Sequence, residues 1–289
     1  MRILLTGASG QLGAYLIDRL RIGGHEPIAW SGTETGTRSG VPLRPIDLTD
    51  PGTTARALDE AGPEAIIHAA ALSAAEAVRL DPARAQALNV EATRRIAGWA
   101  ADRGRRLVFT STDLVFSGSR AWNREDDPAE PVLAYGRTKR QAEPAVLAVP
   151  GGVVARICLL FGPSRSGRAS FFDRAIRAIR RGEPQAFFED EHRTPLDLAT
   201  AARILARLAA SDEAGLFHVA GAERVSRFEL MRRSAAALGL DPGLVRANRR
   251  ADMIAAEPRP ADVSLDSGKL VAAFPDLIRP TIEAAIASI

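Results

Sequence analysis

The chain opens on Arg2-Ile-Leu-Leu-Thr6, a short apolar run, turns at once through Gly7-Ala-Ser-Gly10-Gln-Leu-Gly13, and enters the helical pattern Leu12, Leu16, Ile17, Leu20. An apolar run without alternation reads as a strand covered on both faces, as strands of a parallel sheet are. Glycines between strand and helix let the backbone approach a ligand, and the free N–H groups and dipole of the helix favour an anion there. The spacing Gly-x-x-Gly-x-x-Gly is a variant of the dinucleotide fingerprint, in which that anion is a pyrophosphate. Read alone, the glycines fit a bare tight turn as well. Their place in the first βα unit favours the pyrophosphate.

The same alternation continues along the chain. Pro27-Ile-Ala-Trp30 reads as a second strand, and Asp50-Pro51 caps a helix carrying Ala55, Leu58 and Ala61. Ala65-Ile-Ile-His-Ala69 is a buried strand, Asp81-Pro82 opens a long helix to about Arg103, and Arg106-Leu-Val-Phe-Thr110 is the next strand. Gly152 to Leu160 is strand-like again. This pattern predicts an α/β fold, a Rossmann-type doubly wound parallel sheet with right-handed crossovers. After Phe161, Gly162-Pro-Ser-Arg-Ser-Gly-Arg168 reads as a mobile loop, and Pro242, Pro258, Pro260, Pro275 and Pro280 break the remaining helices. The expected organisation is a dinucleotide-binding domain over 1–160, joined by 195–220, and an interleaved C-terminal substrate lobe over 161–194 and 221–289.

Tyr135 and Lys139 belong to the rarest polar types in the chain, two tyrosines and two lysines among 289 residues. A separation of four puts phenol and ammonium on one face of a helix. A free phenol holds its proton to a pH of about 10, and a neighbouring ammonium lowers that value, bringing tyrosine toward acid/base work. A surface helix with an unrelated Tyr and Lys is the plainer alternative. The hydroxyl run Thr110-Ser-Thr-Asp113 follows a strand end, where ligands of open α/β sheets bind, although hydroxyls there also serve as turn caps.

Composition narrows the remaining classes. With 46% apolar and 25% charged residues, the chain has the mix of a soluble globule. The formal charge is +3, and Arg105-Arg106, Arg180-Arg181 and Arg249-Arg250 are scattered without interleaved aromatics, which argues against a nucleic-acid stripe. One cysteine excludes an internal disulfide, and four scattered histidines suggest no metal site. Without a signal-like or membrane-spanning run, the expected compartment is the cytoplasm.

Taken together, Thr6-Gly-Ala-Ser-Gly-Gln-Leu-Gly13, Ile46-Asp-Leu48, Ala69-Ala-Ala71, Asn89-Val90, Ser111-Thr-Asp-Leu-Val-Phe116, Tyr135-Gly-Arg-Thr-Lys139 and Arg259-Pro-Ala-Asp-Val-Ser-Leu265 with Lys269 resemble the extended short-chain dehydrogenases/reductases. Within them the chain is most similar to the dTDP-4-dehydrorhamnose reductase group of nucleotide-sugar reductases. The resemblance implies that Tyr135 donates the proton in carbonyl reduction, Lys139 lowers its pKa and binds the nicotinamide ribose, and Thr112 polarises the carbonyl, with Ser111 as fallback. It implies that Gly7, Gly10, Gln11, Leu12 and Gly13 cradle the pyrophosphate, that Asp47 and Leu48 flank the adenine, and that Ala69, Ala70 and Ala71 line the path between the riboses. Leu114 stands where dehydratases of the superfamily place a Glu after the Asp, which favours reduction over elimination. A nucleotide-sugar epimerase remains open, as does a regulatory module like the beta subunit of methionine adenosyltransferase. A homodimer is compatible with the family.

After the second strand the order is Trp30-Ser-Gly-Thr-Glu-Thr-Gly-Thr-Arg38, hydroxyls first and a cation later. Ser31 and Arg38 are therefore expected at the cofactor, with NADP favoured over NAD, while Glu34 stays available to a ribose hydroxyl. Asp113, Trp122, Arg193 and Arg259 are the substrate candidates beside Thr112. Arg193 either clamps a diphosphate or pairs between lobes; Trp122 stacks on a sugar or anchors a loop. His68 stands where the reductase group usually has Asn, and reads as a hydrogen-bonded core histidine. Ile157-Cys-Leu159 replaces the group's Thr-Ser-Trp, removing an aromatic wall, and Cys158 reads as core.

Overall fold

The computed structural model describes residues 1–253 and 256–288. The range expected for the substrate lobe, 221–289, thus includes three residues outside this description. Seven strands are taken in chain order: β1 (Arg2–Thr6), β2 (Glu26–Ser31), β3 (Thr37–Arg38), β4 (Val41–Pro45), β5 (Ala65–His68), β6 (Arg106–Thr112) and β7 (Val153–Ile157). With Gly215–Val219 they form one sheet, ordered Gly215–Val219, β7, β6, β5, β1, β2, β4, β3. Every pairing is parallel except that of β3 with β4.

The apolar run of β1 is explained by burial on both faces. Ile3 and Leu5 enter one core cluster with Leu16, Leu20, Ala201 and Leu205, while Leu4 enters the opposite one with Leu58, Ile96 and Phe109. After β1 the chain adds β2 on one side and later β5 on the other, so the sheet order reverses beside β1. Such a reversal leaves a crevice outside the carboxyl ends of the strands, which is where the glycine turn lies.

Two elements depart from the expected layout. The helix expected from Asp81 to about Arg103 is α-helical over Pro82–Ala85 and Ala92–Asp102, with a π-helical turn at Gln86–Glu91 between them. A π turn is a local widening that propensity and periodicity do not register, and it often marks a functional position. Strand β6 also runs past Thr110 to Thr112, because Ser111 and Thr112 keep pairing with Arg156 and Ile157 of β7. The hydroxyl run is therefore largely in the strand, where alternation sends Ser111 to one face and Thr110 and Thr112 to the other.

A third hydrophobic cluster lies apart from the sheet. It joins Phe161, Phe172, Ile176 and Ile179 to Leu230, Met231, Val245, Ile282 and Ile286. The helix Phe171–Arg180 within it starts at a capping box, with Ser170 accepting from the Asp173 N–H and Asp173 from the Ser170 N–H. Val263, Leu265, Leu270 and Phe274 turn back into the first cluster, so the C-terminal segment is stitched to both bodies. Among the described residues no helix is long and apolar enough to cross a membrane.

Candidate active site

A cleft of about 1020 Å³ runs along the carboxyl ends of the strands. One end is lined by Ser31, Gly32, Thr33 and Glu34, the middle by the glycine turn and Ala69 to Ala71, and other parts by Tyr135, Lys139 and Thr110. The turn can only be built from glycine. Gly7 has φ +72°, and a Cβ there would lie 2.8 Å from the Ala69 carbonyl carbon and the Ala70 nitrogen. A Cβ on Gly13 would lie 2.3 Å from the Gly7 carbonyl oxygen, so Gly13 lets the helix Gln11–Ile22 start against the strand. No side chain caps that helix, which leaves its first N–H groups directed to a ligand. This cradle fits a dinucleotide pyrophosphate.

Behind the cradle, His68 completes a determined relay. The Ala70 N–H donates to Thr6 Oγ1 at 3.1 Å, and the same oxygen lies 2.7 Å from His68 Nδ1. On the other side Thr93 Oγ1 donates to the Asn89 carbonyl, so it accepts from His68 Nε2–H at 3.0 Å. Burial first, then the Lys139 charge, pushes the His68 pKa down to about 3, so the ring is neutral with its proton on Nε2, and Nδ1 accepts from the Thr6 hydroxyl. Burial, followed by Arg156, likewise pulls His218 down to about 3. Both histidines take up a proton on unfolding at any pH between about 3 and their ordinary 6.5. Stability contributed by the neutral rings is therefore complete above 6.5 and declines as pH falls toward 3. Urea midpoints should fall clearly between pH 7 and pH 4.5, roughly the window below the histidine pKa; equal midpoints would contradict the assignment.

The π turn places Asn89 between two walls of the cleft. Its amide accepts from the Leu72 N–H at 2.8 Å and donates to the Leu72 carbonyl and to Thr138 Oγ1, each at 3.0 Å. The segment after β5 is thereby tied to the tyrosine helix, Ala134–Leu147. Gly136 lets that helix approach the turn Asp113–Val115 after β6, since a Cβ there would meet the Leu114 carbonyl oxygen at 2.0 Å.

The electrostatics of Tyr135 and Lys139 run against the expected order. Burial raises the Tyr135 phenol above its ordinary range, and the Asp113 carboxylate raises it further. Lys139, fully buried with Nζ 4.0 Å from the centre of the Phe109 ring, is pushed down to about 7 by burial, against a pull upward from Glu143. A lysine poised near neutrality lends less than a full charge to the phenol. Tyr135 therefore keeps its proton, in the state of a proton donor.

The remaining expected residues divide. Ser31, Asp47, Leu48, Gln11 and Leu12 line the cleft with the three glycines. Arg38 does not: its guanidinium donates to the carbonyls of Arg165 and Ser166, at 2.6 and 3.2 Å, and pairs with Glu34 at 3.3 Å. Ser111 donates to Glu143, which holds Arg156 through two bonds of 2.9 Å, so this hydroxyl is spent in the core. Thr112 accepts from the Leu114 N–H and donates to Asp113, both at 3.2 Å. Asp113 in turn accepts from Arg193 at 2.8 Å, and Arg193 pairs with Glu191 at 3.2 Å. Arg193 is buried in this ion-pair network, the arrangement expected of a pairing arginine. Arg259 pairs with the same Glu191 at 2.8 Å and covers Phe188. Trp122 is 44% exposed at φ +55° and lies outside the lining of the cleft. Cys158 is buried, and burial raises its thiol pKa, as a core cysteine requires.

Of the hydroxyl run at the end of β6, Thr110 lines the cleft. Sequence reasoning passed over Arg84, Leu88, Leu160, Ser166, Arg168 and Leu198 as site residues, although they also line it. These come from segments whose approach depends on tertiary packing.

A glycine cradle at the sheet reversal and a Tyr-x-x-x-Lys helix facing the same cleft define an extended short-chain dehydrogenase/reductase. The chain belongs to the RmlD substrate binding domain family, which it matches over residues 1–289. It is 36% identical over 267 residues to a probable dTDP-4,6-dihydroxy-2-methyloxan-3-one 4-ketoreductase of Streptomyces antibioticus, covering 90% of this chain and 85% of the relative. It is 29% identical to the Bos taurus methionine adenosyltransferase 2 subunit beta, covering 93% and 81%. A solved structure titled hypothetical dTDP-4-dehydrorhamnose reductase, from Sulfolobus tokodaii, superposes with a TM-score of 0.84 at 28% identity, covering 98% of this chain and 99% of the other.

Proposed function

We propose that this protein reduces the keto group of a 4-keto dTDP-sugar with a nicotinamide dinucleotide. The observation that carries the reading is that Tyr135 and Lys139 open into the same cleft as the glycine cradle. The named activity of the Streptomyces relative supplies the substrate class. When bound, the cofactor supplies a hydride to the carbonyl carbon. Gly7, Gly10 and Gly13 hold the pyrophosphate on the helix N-terminus; Asp47 and Leu48 flank the adenine; Ala69 to Ala71 floor the path to the nicotinamide. Tyr135 gives its phenolic proton to the developing alkoxide, and the raised pKa keeps that proton in place until hydride transfer begins. Lys139 orients the nicotinamide ribose and compensates the phenolate as it forms. Thr112 polarises the carbonyl, once substrate draws its hydroxyl from Asp113.

A purified sample mixed with NADPH or NADH and dTDP-4-dehydrorhamnose should consume the reduced nicotinamide in step with substrate. Loss of substrate with no net consumption would instead mark an epimerase. One observation favours a second reading, a dinucleotide-binding regulatory subunit: the Thr112 hydroxyl is engaged with its own turn rather than free for a carbonyl. Under that reading a dinucleotide binds and no 4-keto sugar is turned over.

A further inference from the structure

The loop 162–168 is strapped across the end of the cleft lined by Ser31 to Glu34. Tyr15 donates to the Pro163 carbonyl at 2.8 Å, Arg38 donates to the carbonyls of Arg165 and Ser166, Arg165 pairs with Asp18 at 3.1 Å, and Arg168 donates to the Ser9 carbonyl at 3.0 Å. We propose that Arg168 is a specificity residue that selects a 2′-phosphorylated dinucleotide, the task that the sequence suggests for Arg38. The proposal rests on the cofactor reading of the cleft.

An acid past the second strand ordinarily accepts the ribose 2′-hydroxyl. Here both oxygens of that acid are already taken, Glu34 Oε1 by Arg168 at 3.2 Å and Oε2 by Arg38 at 3.3 Å. Two guanidiniums against one carboxylate leave an excess positive charge at this end of the cleft. Arg38 cannot deliver it, since its side chain is 15% exposed, is committed to loop carbonyls and lies outside the lining. Arg168 lines the cleft with its side chain 66% exposed. A phosphate, with a charge of about −1.5 to −2, is a stronger bidentate acceptor than the carboxylate it would displace from Arg168. Glu34, 35% exposed, can then turn to solvent. A 2′-hydroxyl offers Arg168 no such exchange.

Equilibrium binding of NADPH and NADH, followed by nicotinamide fluorescence, tests this on the wild type, Arg168→Gln and Glu34→Gln. Arg168→Gln should weaken NADPH about tenfold and change NADH by less than about twofold, the scale of one charged hydrogen bond at an exposed site. Glu34→Gln should tighten NADPH by freeing both arginines. Equal weakening of both cofactors in Arg168→Gln would make the residue a loop anchor, and no change in either would give it no role; both outcomes overturn the proposal. A wild type that binds neither dinucleotide would overturn the cofactor reading itself.

Discussion

Tyr135→Phe is expected to lower turnover of the 4-keto sugar by about 10²- to 10⁴-fold, the usual worth of a positioned general acid. Dinucleotide affinity should stay within about twofold, because the phenyl ring keeps the wall of the cleft and loses only the hydroxyl. The raised phenol pKa makes this result sharper. Water that enters in place of the hydroxyl is neither oriented by Lys139 nor held against the alkoxide. Steady-state rates with fluorescence titration of the cofactor measure both halves, and undiminished turnover would remove Tyr135 from the mechanism.

The largest expected loss of stability lies elsewhere, at Glu143. Its side chain is fully buried and bonds twice to Arg156, itself only 3% exposed, while also accepting from Ser111. Glu143→Ala strands the guanidinium in the core and should cost about 3–5 kcal/mol. Replacing both partners, Glu143→Leu with Arg156→Met, should cost less than either single loss, because no buried charge remains unpaired. The exposed pair Arg103–Asp59 is shorter, at 2.6 Å, yet should be worth less than about 1 kcal/mol, since solvent screens it. Urea denaturation of the variants separates the cases. A Glu143→Ala midpoint equal to that of Asp59→Ala would show that burial does not govern these pairs.

The fold was legible because its signals are local. A strand apolar on both faces, a glycine turn that no Cβ fits, and a proline at the start of the helix Pro51–Ala61 with Asp50 capping Thr53 each follow from a few adjacent residues. The Tyr-x-x-x-Lys pair was legible for the same reason. Contacts between distant segments, by contrast, exist only in the folded chain. Arg38 and Arg168 are both arginines near small and hydroxylated residues in the sequence, and only the path of the loop 162–168 decides which reaches the cleft. Arg193 was equally ambiguous, since its partner Asp113 lies far from it in sequence and reaches it only in the folded chain. The π turn at Gln86–Glu91 has an ordinary helical sequence and is stabilised by what Asn89 finds across the cleft. The Tyr135 phenol moved opposite to the expected direction because neither its own burial nor the Asp113 carboxylate near it was visible from spacing.

The most direct test of the account follows the hydride itself. The protein is incubated with dTDP-4-dehydrorhamnose and a dinucleotide deuterated at the transferable position of the nicotinamide, and the product sugar is analysed by mass spectrometry and NMR. The account predicts one deuterium on the former carbonyl carbon, with cofactor oxidised in equal amount. Bound dinucleotide with no labelled sugar would contradict it and leave the cleft a binding site alone.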